Sequence, residues 1–205
     1  HTIGNALRRV LLSSLSGAAI TSVNIKGIEH EFSTIKNVKE DVVTIILNLK
    51  QIRFQYTGDE EVKLTLKEKG EKIVTAGDIK TTSDIKVANK KQTIATLTDK
   101  ESKFEMEITV QRGRGYVPVE SRHEEDAEIG NIKIDAIYTP VKNVNFHVEN
   151  VRVGEITNYD RLILDVETDG TLTGEEALKQ AAKVLVNHFN FVKGLKSTEK
   201  VSEKT

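Results

Sequence analysis

The chain has 205 residues, 30 basic and 31 acidic side chains, a formal net charge of −1 and no cysteine. Disulfides, thiolate metal sites, iron–sulfur clusters and cysteine nucleophiles are thereby excluded. The balanced charge argues against a protein that lives by coating nucleic acid or an anionic membrane.

No apolar run approaches the ~20 residues of a membrane span. Arg8 and Arg9 interrupt the only apolar stretch near the start, so a signal-peptide pattern is missing. The expected class is a soluble, cytosolic globular protein. The chain opens at His1 rather than Met, and Gly194 to Thr205 is a mixed-charge tail. It reads as a piece of a longer protein that ends in a linker.

In chain order, Ile3, Leu7, Val10, Leu11 and Ser14 recur at helical spacing, with Thr2 as the expected cap and Gly17 as the stop. Val23 and Ile25, then Ile28 and Phe32, suggest a short strand pair turning at Lys26-Gly27. A second helix is predicted from Asn37, with Glu40 completing a capping box and Val38, Val42, Ile45, Ile46 and Leu49 on its apolar face. The period then changes to two. Ile52, Phe54 and Tyr56, a turn at Gly58-Asp59, and Val62, Leu64 and Leu66 predict a hairpin. Further strands are expected near 85–87, 93–96, 104–110, 132–138, 144–153 and 162–166. The last closes at Asp169-Gly170. Thr173 and Glu176 form a capping box for a final helix. Its stripe is Leu178, Ala181, Ala182, Leu185, Phe189 and Val192, and Gly194 is its stop. Helices at both ends and one inside, with antiparallel-looking strands between, make an α+β pattern.

Catalytic chemistry is hard to find. No two of the five histidines, His1, His30, His123, His147 and His188, stand at a ligand spacing, so no metal is expected. His123-Glu124-Glu125-Asp126 lacks a second histidine and reads as a solvated acidic loop that a partner could recognise. Arg112-Gly113-Arg114-Gly115-Tyr116-Val117-Pro118 begins as G-x-G. It has Pro118 where a dinucleotide fingerprint needs glycine, and it opens no helix. It is a phosphate-gripping loop, a glycine-kinked strand end, or an interaction loop in which arginines supply bidentate contacts. Arg8 and Arg9 either face solvent or pair with a partner. The final helix's stripe is either core or a dimer seam. No nucleophile–base pair and no clustered Asp triad for a two-metal site is visible. The residues alone describe a soluble α+β protein that binds other proteins.

Four blocks carry a family resemblance. The opening His1-Thr2-Ile3-Gly4-Asn5-Ala6-Leu7-Arg8-Arg9-Val10-Leu11-Leu12-Ser13-Ser14 resembles the start of the bacterial RNA polymerase alpha subunit. Glu40-Asp41 through Leu47-Asn48-Leu49-Lys50, the stretch from Val110 to Pro118, and Thr168-Asp169-Gly170-Thr171 agree in the right order. The chain is similar to that family's alpha N-terminal domain over nearly its whole length, without the family's opening strands and its separate C-terminal domain.

The resemblance implies a dimerisation subdomain at 1–16 and 142–195, an inserted strand-rich subdomain at 17–141, and the start of a linker at 196–205. It implies a non-catalytic scaffold of a DNA-directed RNA polymerase, a nucleotidyltransferase, in the bacterial cytoplasm or a plastid. An alpha homodimer forms first and recruits the beta and beta-prime subunits, one copy facing each. No active site, cofactor, metal, membrane or direct DNA contact is expected of this chain. Leu7, Leu11, Leu178, Ala182, Leu185 and Phe189 would form the dimer interface. Gly4, Asn5, Arg9, Leu12, Lys50, Arg112, Gly113, Arg114, Gly115, Tyr116, Val144 and Arg152 would contact beta or beta-prime. Glu124, Glu125, Asp126 and Glu128 resemble an acidic patch that some members offer to transcription activators, although the segment between Pro118 and Gly130 is shorter here. The competing classes are an enzyme with an unrecognised site, a nucleic-acid-binding module and a generic interaction domain.

Overall fold

A computed structural model describes residues 1–122, 130–153 and 156–194. Helix α1 (Thr2–Ser13) leads into strand β1 (Ser16–Ile25). Helix α2 (Val42–Lys50), β2 (Phe54–Tyr56), β3 (Val62–Lys69), β4 (Lys72–Thr75), β5 (Ile85–Val87) and β6 (Thr93–Leu97) follow. Then come β7 (Lys103–Arg114), β8 (Tyr116–Val117), β9 (Asn131–Lys133), β10 (Ala136–Ile137), β11 (Val141–Val153), β12 (Ile156–Thr168) and helix α3 (Gly174–Gly194). The fold is α+β, as expected.

The main sheet is antiparallel, in the order β3-β7-β1-β2-β5. Strand β1 runs along β7, and its register slips between Ile20 and Ser22. Thr21 is therefore the extra residue of a β-bulge. Before the bulge β1 also pairs β2 at Ala18, and beyond it β1 pairs β9 over Ser22 to Asn24. The bulge re-aims the Thr21 carbonyl, which accepts the Ile134 N–H at 2.8 Å and the Arg122 guanidinium at 3.2 Å.

Several local expectations change. Thr2 lies inside α1, which has no side-chain cap, and Gly17 belongs to β1. Ile3 is 68% exposed, and the buried stripe of α1 is Gly4, Leu7 and Leu11. Ile28 and Phe32 make no strand; the chain turns at Gly27 and leaves the sheet. Helix α2 begins at Val42, because Asp41 caps it by accepting the Thr44 N–H at 2.9 Å. Glu40 instead accepts the Thr96 N–H and hydroxyl, which laces the preceding segment to β6. The hairpin expected between β2 and β3 does not form. Strand β2 pairs β1 and β5, whereas β3 pairs β7, so long-range pairing overrides the local turn signal. The 132–138 strand is broken into β9 on β1 and β10 on β8. The final capping box is present: Glu176 accepts from Thr173 N–H and hydroxyl, each at 2.9 Å, and Thr173 Oγ1 accepts the Glu176 N–H.

Two large apolar clusters result. One packs Val42, Ile45 and Leu49 of α2 onto the main sheet, with Phe54, Leu64, Leu66, Phe104 and Ile108. The other packs Leu7, Leu11 and Leu15 with Ala177 and Ala181 of α3 over Val141 and Val144 of the β11–β12 ribbon. A small third cluster, Ala19, Ala136 and Tyr138, lies between them in the chain's path. Gln55 donates to the Thr171 carbonyl at 2.5 Å, and Arg53 lies 3.7 Å from the buried Asp169 carboxylate, which ties the main sheet to the β12–α3 turn.

Tyr138 is the tightest joint. A Cβ on Gly17 would stand 1.9 Å from the Tyr138 carbonyl oxygen, and one on Gly113 would meet the Tyr138 ring at 2.5 Å. Backbone approach this close has no room for a methyl group, and the Gly17 neighbour is itself backbone. Gly17→Ala should therefore lower the unfolding free energy by about 3 kcal/mol. A urea melt checks this, and wild-type stability would show that β1 and the Tyr138 segment can separate freely.

Candidate functional site

Among the described residues no group of three or more His, Asp or Glu side chains could hold a metal ion. No helix of the described residues is long and apolar enough to cross a membrane. What the structure offers instead are faces that a protein partner could read.

Helix α1 divides its residues cleanly. Arg8, Arg9 and Asn5 are exposed and Leu12 is half-buried. Gly4 is buried, and a Cβ there would meet the Phe146 ring at 2.5 Å. Gly4 thus lets the helix lie close on the ribbon, and its expected role in touching a partner is corrected. Leu11 has no exposed surface and Leu7 is buried with it. The contacts expected for these residues across a two-fold axis are made inside the chain, against Ala177 and Ala181. Both helices bury there because the ribbon gives them a common floor. Val144 is fully buried in the same cluster, so direct contact with a partner is excluded for it too.

On α3, Leu178 and Leu185 are half-buried against that cluster, and Ala182 is exposed. Phe189 is 67% exposed, Phe191 73%, and Val186 and Val192 are exposed beside them. Val186, Phe189 and Val192 share one helical face, at spacings of three residues. This is an apolar surface without a partner among the described residues.

The Arg112–Pro118 string is a glycine-kinked strand end. Gly115 adopts φ +66°, where glycine is favoured, and its carbonyl accepts the Tyr138 N–H at 2.9 Å. Arg112 is spent on Asp59 at 2.9 Å and the Ser16 hydroxyl at 3.1 Å. Arg114 and Tyr116 are exposed, as is Arg152 on β11. Gly113 lies under Tyr138. Burial raises the Tyr138 phenol above its ordinary pKa, against an opposing pull from the Arg122 charge. Glu124, Glu125, Asp126 and Glu128 lie outside the described residues.

Lys50, at the end of α2, donates to Asp135 Oδ2 at 2.9 Å. The other Asp135 oxygen accepts the Val119 N–H at 3.0 Å, from the segment after Pro118. Beside it, Arg122 donates to the carbonyls of Thr21 and Ile134. Neither Asp135 nor Arg122 was singled out from sequence. The one available signal was a lone acid on the polar side of the Ile132-Ile134-Ala136-Tyr138 alternation.

The comparison with known families decides what these faces belong to. The family model of the RNA polymerase Rpb3/RpoA insert domain matches residues 23–139, more than half of the chain. The chain belongs to the RNA polymerase Rpb3/RpoA family. The match spans β1 beyond its bulge, α2, and the strands through β10, with the Tyr138 joint at its end. This RpoA-family chain is a subunit of RNA polymerase, built to assemble with other subunits, with the α+β architecture of an alpha N-terminal domain and its insert.

Asp135 gives the site a pH signature. The Lys50 ammonium hydrogen bond, then the Val119 N–H, hold its carboxyl below the ordinary Asp range against the opposing effect of burial. An acid whose folded pKa is depressed stabilises fully above its unfolded value of about 4. That contribution fades as pH falls through the lower folded value. Asp135→Asn should therefore cost about 1 kcal/mol at pH 7, a partly solvent-screened pair. The difference from wild type should close as pH drops below about 4. Paired urea melts across pH 2.5–7 check it; a constant gap at all pH values would remove the charge from the account.

Proposed function

We propose that this chain is a non-catalytic assembly scaffold of a bacterial-type RNA polymerase, which homodimerises and then recruits the beta and beta-prime subunits. The division of labour follows the two large clusters. Residues 1–16 and 142–195 form the dimerisation subdomain, and 17–141 form the inserted subdomain. The family match at 23–139 falls inside the latter. The reading is carried by the apolar end of α3, where large side chains are exposed with no partner among the described residues. Such a patch marks an association surface. Polymerisation chemistry, on this reading, belongs to the large subunits, and the chain's own residues position rather than react.

In the dimer, Phe189 is the anchor, with Val186 and Val192 beside it on the same helix face. Leu178, Ala182 and Leu185 continue that face toward the cluster formed with α1. A two-fold interface uses each residue twice. Phe189→Ala should therefore weaken the dimer by about 3 kcal/mol or more, a hundredfold in dissociation constant. Light scattering or sedimentation of the full-length subunit reads this directly. An unchanged dimer would remove α3 from the interface.

Recruitment of the beta subunit uses the outer face of α1, where Asn5, Arg9 and Leu12 remain accessible. Arg114, Tyr116 and Arg152 are further accessible contacts for beta or beta-prime. Arg9 combines a fixed fork of donors with exposure. Arg9→Ala should leave the alpha dimer intact and block capture of beta in reconstitution, since losing one partner of a desolvated charge pair costs about 2–5 kcal/mol. Capture at wild-type affinity would reduce Arg9 to a surface residue. The acidic residues Glu124, Glu125, Asp126 and Glu128 are proposed as an activator-facing patch, worth only about 0.2–1 kcal/mol per exposed pair. Cytoplasmic location follows from the same reading.

A further inference from the structure

Three segments distant in sequence meet at one carboxylate. Lys50 is the last residue of α2, where the helix C-terminus favours a cation. Its ammonium is 2.9 Å from Asp135 Oδ2. Val119 follows the kinked Arg112–Pro118 string, and its N–H is 3.0 Å from Asp135 Oδ1. Asp135 itself stands between β9 and β10, next to Ile134, whose N–H and carbonyl are held by Thr21 and Arg122. Ile134, the residue before Asp135, is thereby tied to the bulge in β1 through the Thr21 carbonyl, which accepts both its N–H and the Arg122 guanidinium.

We propose that Asp135 is a positioning residue that fixes Lys50 relative to the Arg112–Val119 segment, so that the end of α2 and this loop present one rigid surface to a large polymerase subunit. The inference rests on the scaffold reading above and adds a residue to it. A carboxylate suits the task because two oxygens accept at once, one from an ammonium and one from a backbone N–H. Asparagine keeps an acceptor for Val119 and loses the ion pair; alanine loses both. As a contributor to stability the partly exposed pair is minor. As a geometric device it removes rotamer freedom from a long lysine side chain before a partner arrives.

The test uses the full-length subunit and its variants Asp135→Asn, Asp135→Ala, Lys50→Met and Asp135→Asn/Lys50→Met. Affinity for the purified large subunits is measured for each. Asp135→Asn and Lys50→Met should each weaken capture about fivefold, and the double variant should match Lys50→Met alone. A purely structural role would instead multiply the two losses, and that result overturns the proposal, as does unchanged affinity in Asp135→Asn. Two measurements need no partner. Acylation of the Lys50 amine by an activated ester should speed up several-fold in Asp135→Asn, because the side chain is no longer held against the Asp135 carboxylate and reaches the reagent freely. Amide exchange at Val119 should accelerate in Asp135→Ala and much less in Asp135→Asn. If the wild-type subunit captured no large subunit, the scaffold reading would fall. Unchanged Lys50 and Val119 rates would overturn the positioning role by themselves.

Discussion

Everything else in the molecule is arranged around the close passage of β1 beneath Tyr138. Gly17 brings the strand so near the Tyr138 carbonyl that no side chain fits between them. That approach places the start of β1 beside the α1 cluster and the rest of it in the main sheet. Four residues later the bulge at Thr21 changes the partner on one edge of the strand from β2 to β9. A single ten-residue strand thus hands the chain from one apolar cluster to the other. Tyr138 fills the space that Gly17 and Gly113 leave open, and the small cluster around it closes the joint.

The sequence made the elements legible where local chemistry and tertiary contacts agree. The Thr173–Glu176 capping box is realised atom for atom, and Phe104, Met106, Ile108 and Val110 lie on one buried face of β7. It misled where a local signal had a stronger distant competitor. Gly58-Asp59 is a good turn, but β2 has only three residues and finds its hydrogen bonds in β1 and β5. Glu40 looked like a capping carboxylate because it stands three residues after Asn37. It bonds to Thr96 instead, and Asp41 takes the cap. No periodicity argument can see a partner 56 residues away.

The candidate site was legible in type and less so in address. Apolar helix faces and accessible arginines could be named, yet spacing does not say which side of an amphipathic helix the chain keeps for itself. Leu7 and Leu11 are kept, and Phe189 is left outside. The dividing line falls along α3 itself. Ala177 and Ala181 are small enough to let α1 approach, while the aromatic residues come after the last of the buried positions. Asp135 was invisible because its meaning depends on Lys50 and Val119, which no motif connects to it.

These placements separate folding from assembly in physical terms. The clusters that hold the chain together are closed: their leucines and valines have little or no surface left for a partner. The faces proposed for assembly are of two chemical kinds, large apolar side chains at the end of α3 and cations, with Arg9 exposed on α1 and Lys50 held by Asp135 at the end of α2. Apolar surface supplies association free energy without direction. Held cations supply orientation and register at little net gain in affinity. A dimer built first through the apolar helix end would carry two copies of the oriented cationic faces, related by its symmetry. Large partners would then meet a surface whose geometry was fixed before they arrived, and the ordering cost would already have been met inside the alpha chain.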